Sequence, residues 1–303
     1  LRERYACVEL IYSNTITNGA LLAALARPGT AVLCHVHELE YWIVHRTEPQ
    51  NNQYVRQHTS RYIAVSQAVR AVLIEQLHVP EQQIDVVYEF IPTKLDLARQ
   101  AQTAEHIRSK LRIPANALIV GASGTTDWRK GPDLFIQLAR AVQHYDVGAP
   151  VHFVWVGGDN QGSAFSTLQY DIAHAGLSTC MHFVGALPNA LDYFALFDVF
   201  ALVSREDPFP LVNLEAAALE KPIVCFDNSG GAREFVAGDC GFVVPYLDIE
   251  AMARSTAELL QSADLRRRYG QRAAEKVRAQ HDVDVVAPQL LAVIQRTLVP
   301  HSS

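Results

Sequence analysis

Two carboxylates flank the start of a predicted helix in the segment SREDPFPLVNLEAAALEKPIVCFD, which spans residues 204–227. Asp207 comes just before the Pro-Phe-Pro turn, and Glu215 lies inside the helix. The helix dipole favours a carboxylate near a helix amino terminus, so a capping role is enough to explain Asp207. Glu215 stands in the apolar run NLEAAAL, where a carboxylate must be hydrogen-bonded or paired. Vicinal sugar hydroxyls would satisfy Glu215, because both can donate to one carboxylate.

A second loop carries two adjacent cations. The stretch GASGTTDWRKGPDLFIQLA spans residues 121–139, and Arg129 and Lys130 come immediately before Gly131-Pro132. A proline at the first helical position favours a helix start here. Cations beside the unpaired N–H groups of a helix start form a candidate diphosphate site. A solvated basic turn is the alternative.

A third loop, FDNSGGAREFV, contains Gly230 and Gly231. Glycines let a backbone approach a ligand closely, or they simply permit a turn. The glycine pair alone does not distinguish these two roles. Three loops, one basic, one acidic and one glycine-rich, each follow a predicted strand. Together they favour a binding site more strongly than any single loop does.

The elements that must position these loops alternate between short apolar runs and amphipathic helices, a pattern typical of βα units and parallel sheets. Strand candidates of a first series are Val8–Tyr12, Ala31–Val36, Tyr62–Val65 and Ile84–Tyr88, with helical segments near Gly19–Ala26, Tyr41–Gln57 and Ala68–Leu77. Those of a second series are Leu118–Ala122, His152–Gly157, His182–Val184, Val199–Val203, Ile223–Phe226 and Gly241–Val244. The fold class is therefore predicted as α/β, with two Rossmann-like domains that face each other across a cleft and bind ligands at the carboxyl ends of strands.

The polar, helix-compatible segment Thr93–Arg112 is the predicted link between the domains. An amino-terminal domain is assigned to residues 1–95 and a second domain to residues 96–280. The first series has few strands for a doubly wound domain and starts abruptly on one of them. We therefore expect the amino-terminal domain to be abbreviated or truncated.

Composition excludes several classes of protein. The chain has 303 residues, of which 49% are hydrophobic and 19% charged, which argues against disorder. A net charge of −6 gives no general attraction to nucleic acid. No apolar run approaches the roughly 20 residues that span a bilayer. The five cysteines (Cys7, Cys34, Cys180, Cys225 and Cys240) are odd in number and form no CxxC pair, so reduced, buried thiols in a cytoplasmic protein are expected.

The motifs together resemble those of retaining nucleotide-sugar glycosyltransferases of family 4, which have the GT-B fold. The donor-site signature is matched by EDPFPLVNLEAAALEKPIVCFDNSGGAREFV, and WRKG, VWVGG, HFVGAL and YIAVSQAVRAVLIEQLHVPEQQIDVV follow the family's order. The resemblance covers nearly the whole chain. It implies that residues 281–303 form a helix that crosses back onto the amino-terminal domain, and that the family's glycine-rich first loop would lie before Leu1.

The resemblance also implies roles for the site residues. Asp207 would lie near the donor sugar or its phosphate, and Glu215 on the ribose hydroxyls. The diphosphate would be bound by Lys130 with Arg129 and by the backbone amides of Leu211 and Val212. Backbone atoms near Gly157, Val184 and Leu187 would contact the base, next to the Gly230-Gly231 loop.

The sequence departs from the family pattern at three places. Asp207 replaces the commoner Glu, and Pro210 replaces a Gly, which removes one N–H donor. The family's usual arginine is absent, because Ser123 to Asp127 include no cation, so Arg129 must compensate.

In the amino-terminal part, the segment VLCHVHELEYW contains a His-acid pair, His37-Glu38. It resembles the pair that many family members place beneath the donor sugar, although a single histidine after a strand is more often structural. His35, His37 and Glu38 are not expected to bind a metal, because alternation along an extended chain sends neighbouring side chains to opposite faces. Ser13, Asn14 and Thr15 would contact an acceptor or turn the chain.

The favoured hypothesis is a retaining transfer from a nucleoside diphosphate sugar to an acceptor hydroxyl, without metal or cofactor. The acceptor would be a glycan, a lipid-linked compound or a small molecule; peripheral membrane contact is left open. A second hypothesis is a GT-B module that binds a nucleotide sugar or a partner protein without catalysis. A third is another GT-B reaction, such as an epimerase or a phosphorylase, although no local signature of a pyridoxal-phosphate lysine is evident.

Overall fold

The computed structural model describes residues 8–159 and 161–298. The chain divides into two units, each with its own parallel sheet. The first unit runs through Phe90, takes in Glu206–Phe209 and resumes at Val283. The second unit comprises Ile91–Arg205 and Pro210–Asp282.

The first unit is a four-stranded parallel sheet with the strand order β1-β2-β3-β4. Its strands are β1 (Leu10–Ser13), β2 (Ala31–Val36), β3 (Arg61–Ala64) and β4 (Ile84–Val86). Its helices are α1 (Gly19–Leu25), α2 (Pro49–His58) and α3 (Gln67–Glu75), with a π-helical segment at Tyr41–Arg46 and 3-10 turns at Ile16–Asn18 and Glu81–Gln83. Ser66 caps α3, because its hydroxyl accepts from the Val69 N–H.

The prediction of one continuous helix over Tyr41–Gln57 is wrong, because the segment forms two separate elements. The π-helical segment ends at Arg46, and α2 begins at Pro49. Proline lacks an N–H and disfavours the helical conformation in the residue before it, so Pro49 begins a helix and cannot continue one.

The second unit is a six-stranded parallel sheet with the strand order β10-β9-β8-β5-β6-β7. Its strands are β5 (Leu118–Ser123), β6 (Val151–Val156), β7 (Met181–Phe183), β8 (Val199–Leu202), β9 (Ile223–Phe226) and β10 (Gly241–Val244). Its helices are α4 (Leu97–Lys110), α5 (Pro132–Val142), α6 (Gly162–His174), α7 (Ala190–Phe194), α8 (Leu211–Ala218), α9 (Ala232–Val236), α10 (Ile249–Gln261) and α11 (Ala263–Gln280). The central strands are buried on both faces, as parallel strands covered by helices must be.

The segment Thr93–Arg112, predicted as a link, contains α4, which belongs to the second unit. Asp96 caps this helix by accepting from the Arg99 N–H. The Arg99 guanidinium lies 3.2 Å from the Asp192 carboxylate on α7.

The last helix, α12 (Val283–Leu298), belongs to the first unit. Val286 and Val293 lie two turns apart on one face, are almost fully buried, and pack with Leu33, Ile63 and Val87 of that unit. The helix therefore supplies apolar cover to the first sheet.

The fold class is confirmed as mixed α/β with two parallel sheets, and each predicted strand is present to within two residues at either end. No helix in the described part of the chain is long and apolar enough to cross a membrane. The four described cysteines are free thiols, and three are buried as predicted. The prediction is wrong for Cys180, which is partly exposed, and Cys7 lies outside the described residues.

Candidate functional site

The predicted site residues of the second unit follow the carboxyl ends of its strands. Because these strands are all parallel, the loops after them meet at one edge of the sheet. This edge gathers residues from five loops: Arg129 and Lys130 after β5, Gly157 after β6, Val184 and Leu187 after β7, Leu211, Val212 and Glu215 after β8, and Gly230 and Gly231 after β9.

The loop that carries the two cations is held by a single carboxylate. One carboxylate oxygen of Asp127 accepts hydrogen bonds from the backbone N–H of Arg129 at 2.9 Å and from that of Lys130 at 3.2 Å. The other carboxylate oxygen accepts from the Thr125 hydroxyl. Gly131 then turns the chain into α5 with φ 73°, and a Cβ at this position would lie 2.4 Å from the Val203 carbonyl oxygen. The loop conformation is therefore set by its own short-range bonds and by a glycine whose replacement would strain the backbone.

Arg205 ties this loop to the chain that leaves β8, and sequence reasoning missed it. Its guanidinium makes two hydrogen bonds to the Asp133 carboxylate, at 2.9 and 2.7 Å, and donates to the Trp128 carbonyl at 2.8 Å. Its backbone N–H donates to the Arg129 carbonyl at 2.8 Å. The same guanidinium lies 5.3 Å from the centre of the Trp128 ring. This hydrogen bonding holds the pKa of Asp133 below its usual range, so the pair stays ionised.

Glycines let the neighbouring loops approach the first one closely. Gly157 has φ 107°, and a Cβ there would lie 2.6 Å from the Gly124 carbonyl oxygen. Its N–H donates to the Gly185 carbonyl at 2.8 Å, which pairs the loops after β6 and β7. Val184 donates its N–H to the Trp155 carbonyl at 3.0 Å. The backbone near Gly157 and Val184 is thus fixed by main-chain bonds, while Leu187 is partly exposed beyond them.

Helix α8 presents its amino terminus at this edge. It begins at Leu211, and its N-cap residue, Pro210, makes no side-chain capping hydrogen bond. The N–H groups of Leu211 and Val212 are the first of the helix, and such groups have no acceptor within their own helix. They form the type of helix start that binds anions.

Glu215 lies on the second turn of α8 and is partly buried. Burial raises its pKa above the usual range of a glutamate. Among residues 8–159 and 161–298, no hydrogen bond or ion pair engages its carboxylate. The protein partner that was expected for a carboxylate in an apolar environment is therefore not found among the described residues.

The Gly230-Gly231 loop turns the chain from β9 into α9. Gly230 has φ 123°, a conformation that side-chain-bearing residues rarely adopt. The buried Ser229 hydroxyl donates to the Phe226 carbonyl at 3.0 Å, and Arg233 pairs with Asp227 at 2.7 Å. The glycine pair therefore does form a turn, at the same edge as the other loops.

In the first unit, His37 directly follows β2 and is hydrogen-bonded through both ring nitrogens. Nδ1 lies 2.7 Å from a carboxylate oxygen of Glu89, and Nε2 lies 3.0 Å from the Asn14 side-chain oxygen. Its ring lies 4.1 Å from that of His35, since residues two apart on a strand share a face. Asn14 and Glu89 follow β1 and β4, so parallel strands again bring separate loops to one edge.

The adjacent carboxylate, Glu38, does not engage the His37 ring. It accepts from the Thr15 hydroxyl, from the Ile16 N–H at 3.2 Å and from the His37 backbone N–H at 3.1 Å. Glu38 therefore holds the loop after β1, and the acid partner of the His37 ring is Glu89. The role expected for His37 beneath a donor sugar stays a prediction.

Asp207 is 4% exposed and belongs to the short segment Glu206–Phe209 of the first unit. Its neighbour Glu206 accepts from the Tyr41 N–H at 2.8 Å, and Phe209 lies 5.2 Å from Tyr88 between ring centres. The structure thus assigns Asp207 and Glu215, which are close in sequence, to different units.

Within the described ranges, no group of three or more His, Cys, Asp or Glu side chains is arranged to hold a metal ion. His35 and His37 approach each other, but Glu38 is directed to Thr15 and Ile16.

Two family profiles match this chain. The profile described as Glycosyl transferases group 1 matches residues 103–276, and the one described as Glycosyltransferase Family 4 matches residues 2–95. A curated relative, the lipopolysaccharide core biosynthesis mannosyltransferase LpcC of Rhizobium leguminosarum bv. viciae, is 29% identical over 71% of this chain and 61% of its own length. The lipopolysaccharide core biosynthesis glycosyltransferase LpsE of Rhizobium meliloti is 28% identical over 62% of this chain and 52% of its own length. The chain thus spans little more than half the length of these relatives.

Among solved structures, Anabaena Alr3699/HepE in complex with UDP-glucose superimposes with a TM-score of 0.82 at 21% identity, over 95% of this chain and 79% of that one. The structure of the same protein in complex with UDP superimposes with a TM-score of 0.81 at 20% identity, over 97% of this chain and 80% of that one. The likeness at this identity concerns the fold. The chain belongs to the glycosyl transferases group 1, of the family 4 type, and has the GT-B fold.

Proposed function

We propose that this chain is a retaining glycosyltransferase that moves a sugar from a nucleoside diphosphate sugar to an acceptor hydroxyl. One observation carries the proposal. A single sheet edge of the second unit combines the cationic Arg129-Lys130 loop, the uncapped start of α8 and the partly buried Glu215, whose carboxylate no described residue engages. These groups match the two polar parts of a nucleoside diphosphate, its phosphates and its ribose.

In the proposed reaction, Lys130 and Arg129 neutralise the leaving diphosphate together with the N–H groups of Leu211 and Val212. The bond between the sugar's anomeric carbon and the phosphate oxygen breaks. A bond from the acceptor oxygen forms on the same face, and the acceptor's proton passes to the departing phosphate. Because protein cations and helix amides neutralise the phosphate charge, the proposal requires no metal ion or cofactor.

The remaining site residues have the following proposed roles. Glu215 accepts from the two ribose hydroxyls, which supply the partner that its carboxylate lacks among the described residues. Backbone atoms near Gly157, Val184 and Leu187 contact the base, and the Gly230-Gly231 turn contacts the donor. The first unit supplies His37 and Asp207 for the donor sugar and binds the acceptor.

The names of the relatives support a sugar transferase, although they describe different transfer reactions. LpcC is a mannosyltransferase, and D-inositol 3-phosphate glycosyltransferases of Corynebacterium urealyticum and Jonesia denitrificans also match. We propose a glycan, lipid-linked or small-molecule hydroxyl as the acceptor, with peripheral membrane contact in the lipid-linked case. The free thiols support a cytoplasmic location.

The test is a donor screen on the full chain with UDP-glucose, GDP-mannose and ADP-glucose. A bound donor should raise the melting temperature, because a ligand at 100 times its Kd stabilises by about 2.7 kcal/mol. Sugar transfer to a simple hydroxyl acceptor, or to water, should be detectable with the same donor, and proton NMR should show a product with the donor's anomeric configuration. An inverted product contradicts the retaining mechanism, and stabilisation without any transfer contradicts the catalytic function.

His37→Ala separates binding from turnover on the same preparation. We expect turnover to fall strongly while the affinity for UDP changes little, because the proposed diphosphate contacts all lie in the second unit. If this variant loses UDP binding, the assignment of donor contacts to the second unit is wrong.

A further inference from the structure

The His37 ring has a carboxylate partner that lies far away in the sequence. Glu89 comes after β4 and His37 after β2, 52 residues apart, yet Nδ1 and the Glu89 oxygen are separated by 2.7 Å. The side chains are 28% and 17% exposed, respectively, so bulk water screens the pair only partly. Two strands that both pair with β3 hold the partners, which fixes their separation.

The chemistry of the partners determines which nitrogen carries the proton. An ionised carboxylate only accepts hydrogen bonds, so Nδ1 facing Glu89 must be the N–H nitrogen. Nε2 faces the Asn14 side-chain amide at 3.0 Å. Nε2 of a charged ring donates to the Asn14 oxygen that faces it, whereas Nε2 of a neutral ring accepts from the NH₂ group once the Asn14 amide is turned over. Both arrangements keep the ring orientation, since it is hydrogen-bonded on both sides.

The other ionisable groups around His37 do not compete for this role. The ring of His35 lies 4.1 Å away, and its Nδ1 lies 2.6 Å from the Tyr12 hydroxyl. Burial, and then the charge of His37, lowers the pKa of His35 to about 3, so His35 is neutral near pH 7. Burial, and then the charge of Glu89, raises the pKa of Tyr12 to about 12. Glu38 is bonded to Thr15, to the Ile16 N–H and to the His37 backbone N–H.

We propose that Glu89 is a positioning residue for His37: it holds the proton on Nδ1 and thereby keeps Nε2 in a fixed orientation beside Asn14. The role in turnover rests on the proposed function of His37. The role in setting the tautomer does not, because it follows from the contacts of the unliganded protein. Glu89 itself touches no reacting atom and acts through the imidazole.

The first test uses the unliganded full chain and needs no substrate. In ¹⁵N-histidine-labelled protein, two-bond ¹H–¹⁵N correlations identify which ring nitrogen carries the proton, and a His37→Gln variant assigns the signal. We expect His37 to have its proton on Nδ1 in the unmutated chain. In Glu89→Ala, the His37 signals should become those of two tautomers in exchange. In Glu89→Asp, the proton should return to Nδ1 in part of the molecules. A His37 tautomer that is the same in Glu89→Ala overturns the proposal.

The second test is kinetic and uses the donor that the unmutated chain turns over. Glu89→Ala should lower kcat on the order of tenfold or more, with Glu89→Asp intermediate, while the Kd for UDP stays within about twofold. Glu81→Gln is the matched control, since it removes an exposed carboxylate of the same unit, 3.2 Å from Arg70, and should leave both quantities unchanged. If the unmutated chain transfers sugar and Glu89→Ala has the same kcat, the turnover role is overturned. If the unmutated chain turns over no donor, the proposed function fails instead, and the NMR measurement alone decides whether Glu89 positions His37.

Discussion

At the scale of single residues, the candidate site combines groups whose surroundings differ sharply. Lys130 and Arg129 lie in a short loop held by Asp127 and are partly exposed. Glu215 is partly buried, and no group of the described residues engages it. A cation near the surface attracts phosphate, whereas a carboxylate without a protein partner favours a ligand that donates hydrogen bonds.

Lys130→Ala should weaken binding of a nucleoside diphosphate far more than binding of the bare nucleoside, because the ammonium acts on phosphate charge. A lost charge-assisted hydrogen bond is worth about 1.5–3 kcal/mol, or roughly 10- to 150-fold in Kd. Calorimetry with UDP and uridine measures both affinities. An equal loss for the two ligands would mean that Lys130 supports the loop and does not bind the diphosphate.

Glu215→Gln should weaken UDP binding by roughly tenfold or more and leave the fold intact, because it keeps the shape and removes the charge. The unliganded variant should be at least as stable as the unmutated chain, since the substitution removes a partly buried charge. Calorimetry and a thermal melt measure the two quantities. Unchanged UDP affinity with lower stability would show that Glu215 is structural.

At the scale of elements, the parallel strands determine which loops meet, and specific side chains then lock them together. Arg205 connects the loop before α5 to the end of β8 by five interactions: two hydrogen bonds to Asp133, one to each carbonyl of Trp128 and Arg129, and a contact with the Trp128 ring. Its side chain is 12% exposed, and that of Asp133 is 41% exposed. Removing one partner should therefore cost more than breaking an open surface ion pair and less than leaving one charge of a fully buried pair without its partner.

Arg205→Met should lower the free energy of unfolding by about 1–3 kcal/mol and also weaken UDP binding, because it frees the loop that carries Lys130. Arg267→Met is the control, since Arg267 forms an exposed pair with Asp264 within α11 and should cost less than about 0.5 kcal/mol. Denaturant titration gives the stability, and calorimetry gives the affinity. A loss of stability without any loss of affinity would show that Arg205 does not support the proposed phosphate site.

His152 on β6 and His182 on β7 form a second link between elements, with Nδ1 and Nε2 3.0 Å apart. Burial, and then the charge of His152, lowers the pKa of His182 to about 4, and burial lowers that of His152. The unfolded chain has ordinary imidazoles with a pKa of about 6.5, so between pH 6.5 and 4 it binds more protons than the folded chain. Stability should therefore be lost as the pH falls through this window.

The pH effect can be measured from the urea midpoints at pH 7.5 and pH 5.0. His182→Gln should reduce the difference between the two midpoints, because it removes one of the two groups that must remain neutral in the folded state. The exposed His144 supplies the control, and His144→Gln should preserve the full difference. An unchanged difference in His182→Gln would assign the pH dependence to other groups, such as the buried His35.

At the scale of the whole molecule, the chain does not complete one unit before it begins the other. It enters the second unit at Ile91, and α12 returns to the first unit at the end of the described chain. The first sheet depends on this return, because Val286 and Val293 complete the apolar layer formed by Leu33, Ile63 and Val87.

Val293→Ala should destabilise the first unit by about 1–3 kcal/mol, since it removes buried methyl groups and leaves a cavity. Hydrogen exchange should show faster opening of β2 and β3, by roughly 5- to 150-fold, with no change in β8 and β9. Leu291→Ala on the same helix is the control, because Leu291 is 53% exposed. Equal acceleration in both sheets would mean that the two units unfold together.

The sequence by itself determined the order of the strands, the α/β class and the loops that carry the candidate site, including the turn at Gly131-Pro132. These features depend on periodicity and on local turn chemistry, which short stretches of sequence express directly. Only the tertiary structure decided which side chains are hydrogen-bonded to each other. The His37 ring pairs with Glu89 and not with Glu38, and Asp133 pairs with Arg205. Glu215 pairs with no described protein group. The partners in these pairs are 52 and 72 residues apart, and they meet because parallel strands bring the loops to one edge. Sequence spacing does not encode such proximity, since it arises from strand order and from the packing of the sheet.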